Sequence, residues 1–132
     1  MSLVRLLPAW FHAIADYAVG ALLIVVPVAV GGSSGAIGTG AVVGATVLLV
    51  SVLTKYPLGV VKVLPFTVHS AGDYLAAALL LAAPWALNFA SADGGLAAFY
   101  IAGGIAVLGV SLITNYQYSP KRSLAPAASN PA

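Results

Sequence analysis

Residues 7–27, LPAWFHAIADYAVGALLIVVP, return almost sixty positions later as residues 64–84, LPFTVHSAGDYLAAALLLAAP. At a shift of 57 the residues Leu7, Pro8, His12, Asp16, Tyr17, Ala21, Leu22, Leu23 and Pro27 fall on Leu64, Pro65, His69, Asp73, Tyr74, Ala78, Leu79, Leu80 and Pro84. Apolar bias alone would not align the rare polar residues, so the two stretches read as copies of one element. A further slip of three puts Gly44, Val47, Leu48, Val50, Ser51, Thr54 and Tyr56 on Gly104, Val107, Leu108, Val110, Ser111, Thr114 and Tyr116. The repeating unit is therefore a pair of segments, spanning about 6–58 in the first copy and about 63–118 in the second.

Each segment is long and apolar. Four runs, 9–30, 36–53, 67–89 and 96–113, approach the roughly 20 residues that a helix rising 1.5 Å per residue needs to cross about 30 Å of hydrocarbon. Backbone groups inside lipid must be paired within the segment, which selects helices over open strands. Short breaks at 31–35 and 90–95 make each pair a hairpin, and a longer connector, 54–66, joins the hairpins. The expected fold is an all-α membrane protein of four transmembrane helices in a single domain, 1–132. Two helices per copy make both copies enter from the same side, so the repeats are expected to be parallel, related by a pseudo-twofold axis along the membrane normal.

Composition agrees. The chain of 132 residues is 61% hydrophobic and 6% charged, far from the average of soluble domains. It has no cysteine, which excludes thiol redox chemistry and disulfide stapling. The five basic residues, Arg5, Lys55, Lys62, Lys121 and Arg122, are too few and too scattered for a nucleic-acid surface. All five precede the first span, lie in the connector, or follow the fourth span. The positive-inside rule thus predicts N-in and C-in topology in the cytoplasmic membrane. Trp10, Tyr56, Tyr116 and Tyr118 are expected in the aromatic belt of that side, with Trp85 and Phe89 near the opposite one. Residues 119–132, rich in Pro, Ala and Ser, read as a disordered cytoplasmic tail. Arg5 before an apolar stretch also fits a cleaved signal peptide; the repeat argues instead that the first span is a retained element.

The pattern His-x3-Asp-Tyr-x4-Leu-Leu-x3-Pro, a second helix ending in Thr-x-Tyr, and the segment Leu-Gly-Val-Val-Lys-Val-Leu-Pro at 58–65 resemble the SPW-repeat family of bacterial integral membrane proteins. The resemblance covers about 6–118. The family's Ser-Pro-Trp triplet reads Ala83-Pro84-Trp85 in the second copy and Val26-Pro27-Val28 in the first. It implies a four-helix protein of the bacterial inner membrane and no particular activity.

His12 and Asp16 are four residues apart, as are His69 and Asp73, so each pair shares a helix face. A carboxylate about two turns into a membrane helix costs several kcal/mol unless partnered, which makes it a functional candidate. Thr54, Tyr56, Thr114 and Tyr116 end the even helices at the same level, ready to donate hydroxyls. Each motif is therefore expected to form a polar clasp pinning helix ends, two clasps for two hairpins. Tyr17 and Tyr74 either complete the clasps or pack as interfacial aromatics. Pro27 and Pro84 are expected to kink or end the odd helices.

The leading functional expectation is a non-enzymatic structural or accessory subunit in the lipid bilayer, which forms a homo-oligomer or joins other membrane protein subunits. The small surfaces of Gly40 and Gly44, and of Ala102, Gly103, Gly104, Ala106 and Gly109, suit close helix packing within the bundle or between protomers. One alternative is a small proton or cation transporter or channel using the His–Asp pairs, although the first span is apolar from 18 to 30 and the third from 75 to 87. A second alternative binds haem, a chlorin or a metal through His12 and His69; an aspartate already bonded to its own histidine is a poor free ligand. No phosphate loop, nucleophile elbow or HExxH motif is present, and no catalytic residue or cofactor is expected.

Overall fold

The structure, a computed structural model, describes residues 2–117. Among these residues there are four helices, α1 (Ala9–Ala29), α2 (Ser34–Leu53), α3 (Phe66–Ala86) and α4 (Gly94–Ile113), and no strand beyond isolated bridges. Each helix is long and apolar enough to cross a membrane. The chain is a four-helix, multi-pass membrane protein, and large apolar side chains such as Leu22, Val25, Leu49, Leu75, Leu79 and Ile105 stand exposed on the helix flanks. In a bilayer, lipid tails cover such surfaces at no hydrophobic cost. The predicted tail at 119–132, the belt position of Tyr118 and the charges of Lys121 and Arg122 lie outside the described residues.

Helix ends follow local chemistry. α1 continues two residues past Pro27 and stops where Gly31 turns to a φ of 68°, with Gly32 N–H donating to Pro27 O at 2.9 Å. α3 ends at Ala86, three residues short of its apolar run, because Asn88 takes a φ of 56° and Phe89 and Ala90 N–H both return to Pro84 O. The prolines thus mark the last helical turn, as the sequence suggested. α2 begins two residues before its apolar run because Ser33 caps it, its Oγ accepting from Ala36 N–H.

α1 packs chiefly on α2 and α3 on α4, while the two hairpins meet along narrower α2/α3 and α1/α4 contacts. Within the first hairpin Gly40 and Gly44 are the close-approach points. A Cβ on Gly40 would collide with the carbonyl oxygen of Leu23, and one on Gly44 would sit 2.7 Å from Gly20 O. The small-residue pattern is consumed inside the hairpin, where absence of side chains lets backbones touch.

Of the residues expected in aromatic belts, Trp10 and Trp85 are 53% and 62% exposed. The expectation does not hold for Phe89, Tyr56 and Tyr116, which are all buried. Phe89 folds inward because the left-handed turn at Asn88 points it at Tyr100, 5.6 Å away between ring centroids. The core at that end comprises Leu23, Ala36, Leu80, Phe89, Leu96 and Tyr100. Tyr56 and Tyr116 belong to a second core at the opposite end with Ala9, Ala13 and Phe66.

That opposite end carries the starts of α1 and α3 and the ends of α2 and α4. Extended segments lie across it. Leu3, Val4, Leu6 and Leu7 N–H donate to Leu112 and Ile113 O at the end of α4, and Val60, Val61, Val63 and Leu64 N–H donate to Val52 and Leu53 O at the end of α2. These bonds satisfy helix-end carbonyls that would otherwise lack partners.

Candidate functional site

The His-Asp spacing places both pairs on the inward faces of α1 and α3, where His12, Asp16, His69 and Asp73 are buried, with Asp16 and Asp73 9% and 7% exposed. The two expected clasps merge into one ring. His12 Nε2 lies 3.3 Å from Asp16 Oδ1 and 3.2 Å from Asp73 Oδ2. His69 Nε2 lies 3.2 Å from Asp16 Oδ2 and 3.0 Å from Asp73 Oδ1. Each carboxylate therefore spends one oxygen on the histidine of its own helix and the other on the histidine across the bundle.

Residues that follow the even helices close the ring, the threonines by crossing copies and the tyrosines within their own copy. His12 Nδ1 is 2.7 Å from Thr114 Oγ1, and His69 Nδ1 is 2.7 Å from Thr54 Oγ1. Tyr56 OH donates to Asp16 Oδ2 at 3.1 Å, and Tyr116 OH donates to Asp73 Oδ2 at 2.7 Å. Burial first, and then the neighbouring carboxylate, pushes both phenols above their ordinary value, so they remain donors. Phe66 plugs the end with centroids 5.4 Å from His12, 5.7 Å from His69, 5.3 Å from Tyr56 and 4.7 Å from Tyr116. Its counterpart in the first copy is Ala9, so one large ring serves both halves.

Tyr17 and Tyr74, the remaining candidates, do not touch the carboxylates through any bond observed. Tyr17 OH donates to Leu58 O at 2.9 Å and Tyr74 OH to Ser111 O at 3.4 Å, tying α1 to the connector and α3 to α4. Both sit one residue past an inward aspartate, and a rotation of about 100° per residue turns them away from the ring.

Three further polar groups escaped the sequence reading. Asp93 Oδ2 accepts from Ser33 N–H at 2.8 Å, linking the two hairpin turns at the far end of the bundle. The signal was there, since Asp93 is the one acidic residue outside the repeated motif. Hydrogen bonding from Ser33 holds its carboxyl below the ordinary range. Tyr100 OH donates to Ala36 O. Among the described residues Ser111 Oγ is buried without a hydrogen-bond partner, and so is His12 Nε2, although two carboxylate oxygens stand within 3.3 Å of it.

Chemically, the ring offers one donor atom from each of four buried residues, all within 4.8 Å of one another. A crevice of about 170 Å³ between the hairpins reaches His12, Asp16, Asp73 and Ser111 from an otherwise apolar wall. Each Nε2 is within 3.3 Å of two carboxylates. No family model matches this chain, and neither does any curated protein or solved structure.

Proposed function

We propose that this chain is a non-enzymatic structural or accessory subunit of the bacterial inner membrane, with N-in and C-in topology, that self-associates or joins a larger membrane complex. The observation that carries the reading is the ring itself. It joins α1 to α3 across hairpins whose other contacts are narrow, and it is capped by Phe66, Tyr56 and Tyr116. Such a ring is a fastener: opposite groups of α1 and α3 stand within 3.0–3.3 Å of one another on both sides of the seam.

Cation movement is the weaker reading. Beyond the ring, Thr39 and Thr46 hydroxyls donate to Gly35 O and Val42 O of their own helix, and Tyr100 to Ala36 O. Hydroxyls committed in this way offer no relay from the ring to the turn end. The duplicated hairpin, the distribution of Arg5, Lys55 and Lys62, and the resemblance to SPW-repeat proteins support the proposed topology, pseudo-twofold symmetry and location.

Asp16→Asn and Asp73→Asn test the reading. Removing one partner of a buried ion pair costs about 3–5 kcal/mol, so both variants should unfold more readily in detergent while vesicles carrying the original chain show no pH-driven flux. Sizing in mild detergent should give a species larger than one chain. A pH-dependent flux abolished by Asp73→Asn, with the fold intact, would establish the transporter instead, and a strict monomer that crosslinks to nothing would remove the subunit role.

A further inference from the structure

The threonines fix the tautomer of both histidines. Thr114 Oγ1 lies 2.6 Å from Val110 O as well as 2.7 Å from His12 Nδ1, and Thr54 Oγ1 lies 2.6 Å from Val50 O as well as 2.7 Å from His69 Nδ1. A carbonyl only accepts, so each hydroxyl proton is committed to the helix backbone, and the hydroxyl oxygen must accept from Nδ1–H. Each imidazole therefore carries hydrogen on Nδ1 and turns Nε2 into the ring. Tying down the far nitrogen by a hydrogen bond is how proteins orient a metal-binding histidine.

Nε2 of His12 has the placement of a ligand atom. His12 is 1% exposed, and this nitrogen makes no hydrogen bond of acceptable geometry although two carboxylate oxygens stand within 3.3 Å. A single cation beside it would meet a carboxylate oxygen from each helix. The four nitrogen-to-oxygen separations around the ring are 3.3, 3.2, 3.2 and 3.0 Å. Each separation runs to a different carboxylate oxygen, and one donor atom from each of the four residues lies within 4.8 Å of the others; donors bound at about 2.0–2.1 Å around a tetrahedral ion are about 3.3 Å apart, so binding draws the widest pair together by about 1.5 Å.

Charge and access agree with geometry. Once the incoming ion has displaced to solvent any proton on Nε2, two carboxylates and two neutral imidazoles sum to two negative charges, which one divalent cation cancels, and a neutral cluster is what a buried membrane site tolerates best. The crevice past Ala15, Val19 and Ala106 reaches three of the four ligands. Imidazole with carboxylate suits zinc and its first-row neighbours, whereas calcium and magnesium select oxygen alone.

We propose that His12, Asp16, His69 and Asp73 form a binding site for one divalent transition-metal cation of the zinc class, held by both Nε2 atoms and an oxygen from each carboxylate. The ion bridges α1 and α3. Thr54 and Thr114 are positioning residues. The proposal does not depend on the subunit reading, because the ring can fasten the hairpins with or without an ion.

The test uses the full chain without a histidine tag, purified in detergent and stripped by chelator, with Co²⁺ as the probe. One Co²⁺ should bind per chain with the intense visible bands of tetrahedral coordination, and one equivalent of Zn²⁺ should erase them. Cu²⁺ bound to the same sample should show nitrogen coupling from two imidazoles by electron paramagnetic resonance. Asp73→Asn and His69→Gln should each remove the visible bands, and Thr114→Val should weaken Co²⁺ binding by about 10–100-fold while keeping the spectrum. Folded original chain that fails to bind Co²⁺ saturably, or binds it without nitrogen coupling to Cu²⁺, overturns the proposal even if every variant misfolds. Unchanged binding in folded Asp73→Asn overturns it as well. Sizing of the same metal-free sample reports separately on the subunit reading.

Discussion

His12 Nδ1 and Thr114 Oγ1 lie 2.7 Å apart although 102 positions separate them, and the same hydroxyl is 2.6 Å from Val110 O. The threonine thus passes a hydrogen bond from the ring to the backbone of α4 and fixes how the imidazole faces the carboxylates. Thr54 does the same for His69 from α2.

Thr114→Val keeps the β-branched shape and deletes the acceptor, leaving Nδ1–H buried and unpaired. The expected loss is about 1–3 kcal/mol of stability in detergent unfolding. Thr114→Ser should recover most of it. Equal loss in both variants would mean that shape, and not the hydroxyl, matters.

Tyr116→Phe removes the donor to Asp73 while retaining the ring that packs on Phe66. Hydrogen bonds to charged groups contribute about 1.5–3 kcal/mol, so the unfolding free energy in detergent should fall by that amount. Tyr56→Phe should behave alike through Asp16. Combining either with the aspartate substitution at its own partner should give less than the sum, since both remove one interaction.

Gly40→Val drives a side chain into Leu23 O and the Tyr100 hydroxyl, whereas position 38 has no neighbour within 4 Å of a built Cβ. The first should cost about 1–3 kcal/mol through overpacking, and Gly38→Ala should stay within about 0.5 kcal/mol of the original. A pair of unfolding curves decides it. Indifference to Gly40→Val would deny the tight α1/α2 crossing.

At the other end of the bundle, Asp93 joins the two turns through Ser33. Its carboxyl is lowered by that hydrogen bonding, so the link is present above the unfolded-state carboxylate range and is lost as pH falls through the folded value. Protection from hydrogen exchange at 31–35 and 90–95, taken relative to the intrinsic rate at each pH, should fall on acidification in the original chain. In Asp93→Asn it should be low already at neutral pH and flat with acid.

These contacts differ in how far the sequence disclosed them. The pairing of His12 with Asp16 and of His69 with Asp73 follows from a spacing of four on one helix. The hydroxyls of Thr54, Tyr56, Thr114 and Tyr116 were placed at the right depth by the repeat, yet their partners were not. Tyr56 and Tyr116 also looked like belt residues, because an aromatic near a helix end reads the same whether it turns outward or in. Asp93 has no partner within its own hairpin that sequence could suggest.

Four membrane-length helices are legible in the residues alone, because the length of an apolar run measured against the bilayer is a local quantity. So is the set of polar residues that share a helix face, because the helical period is fixed. That the two motifs fuse into a single ring, that Thr54 serves His69 and Thr114 serves His12, and that Phe66 packs on both histidines emerges only when the hairpins pack together. Those choices depend on the depth and rotation at which one hairpin meets the other, set by side chains interlocking across the whole contact and written in no single stretch of residues.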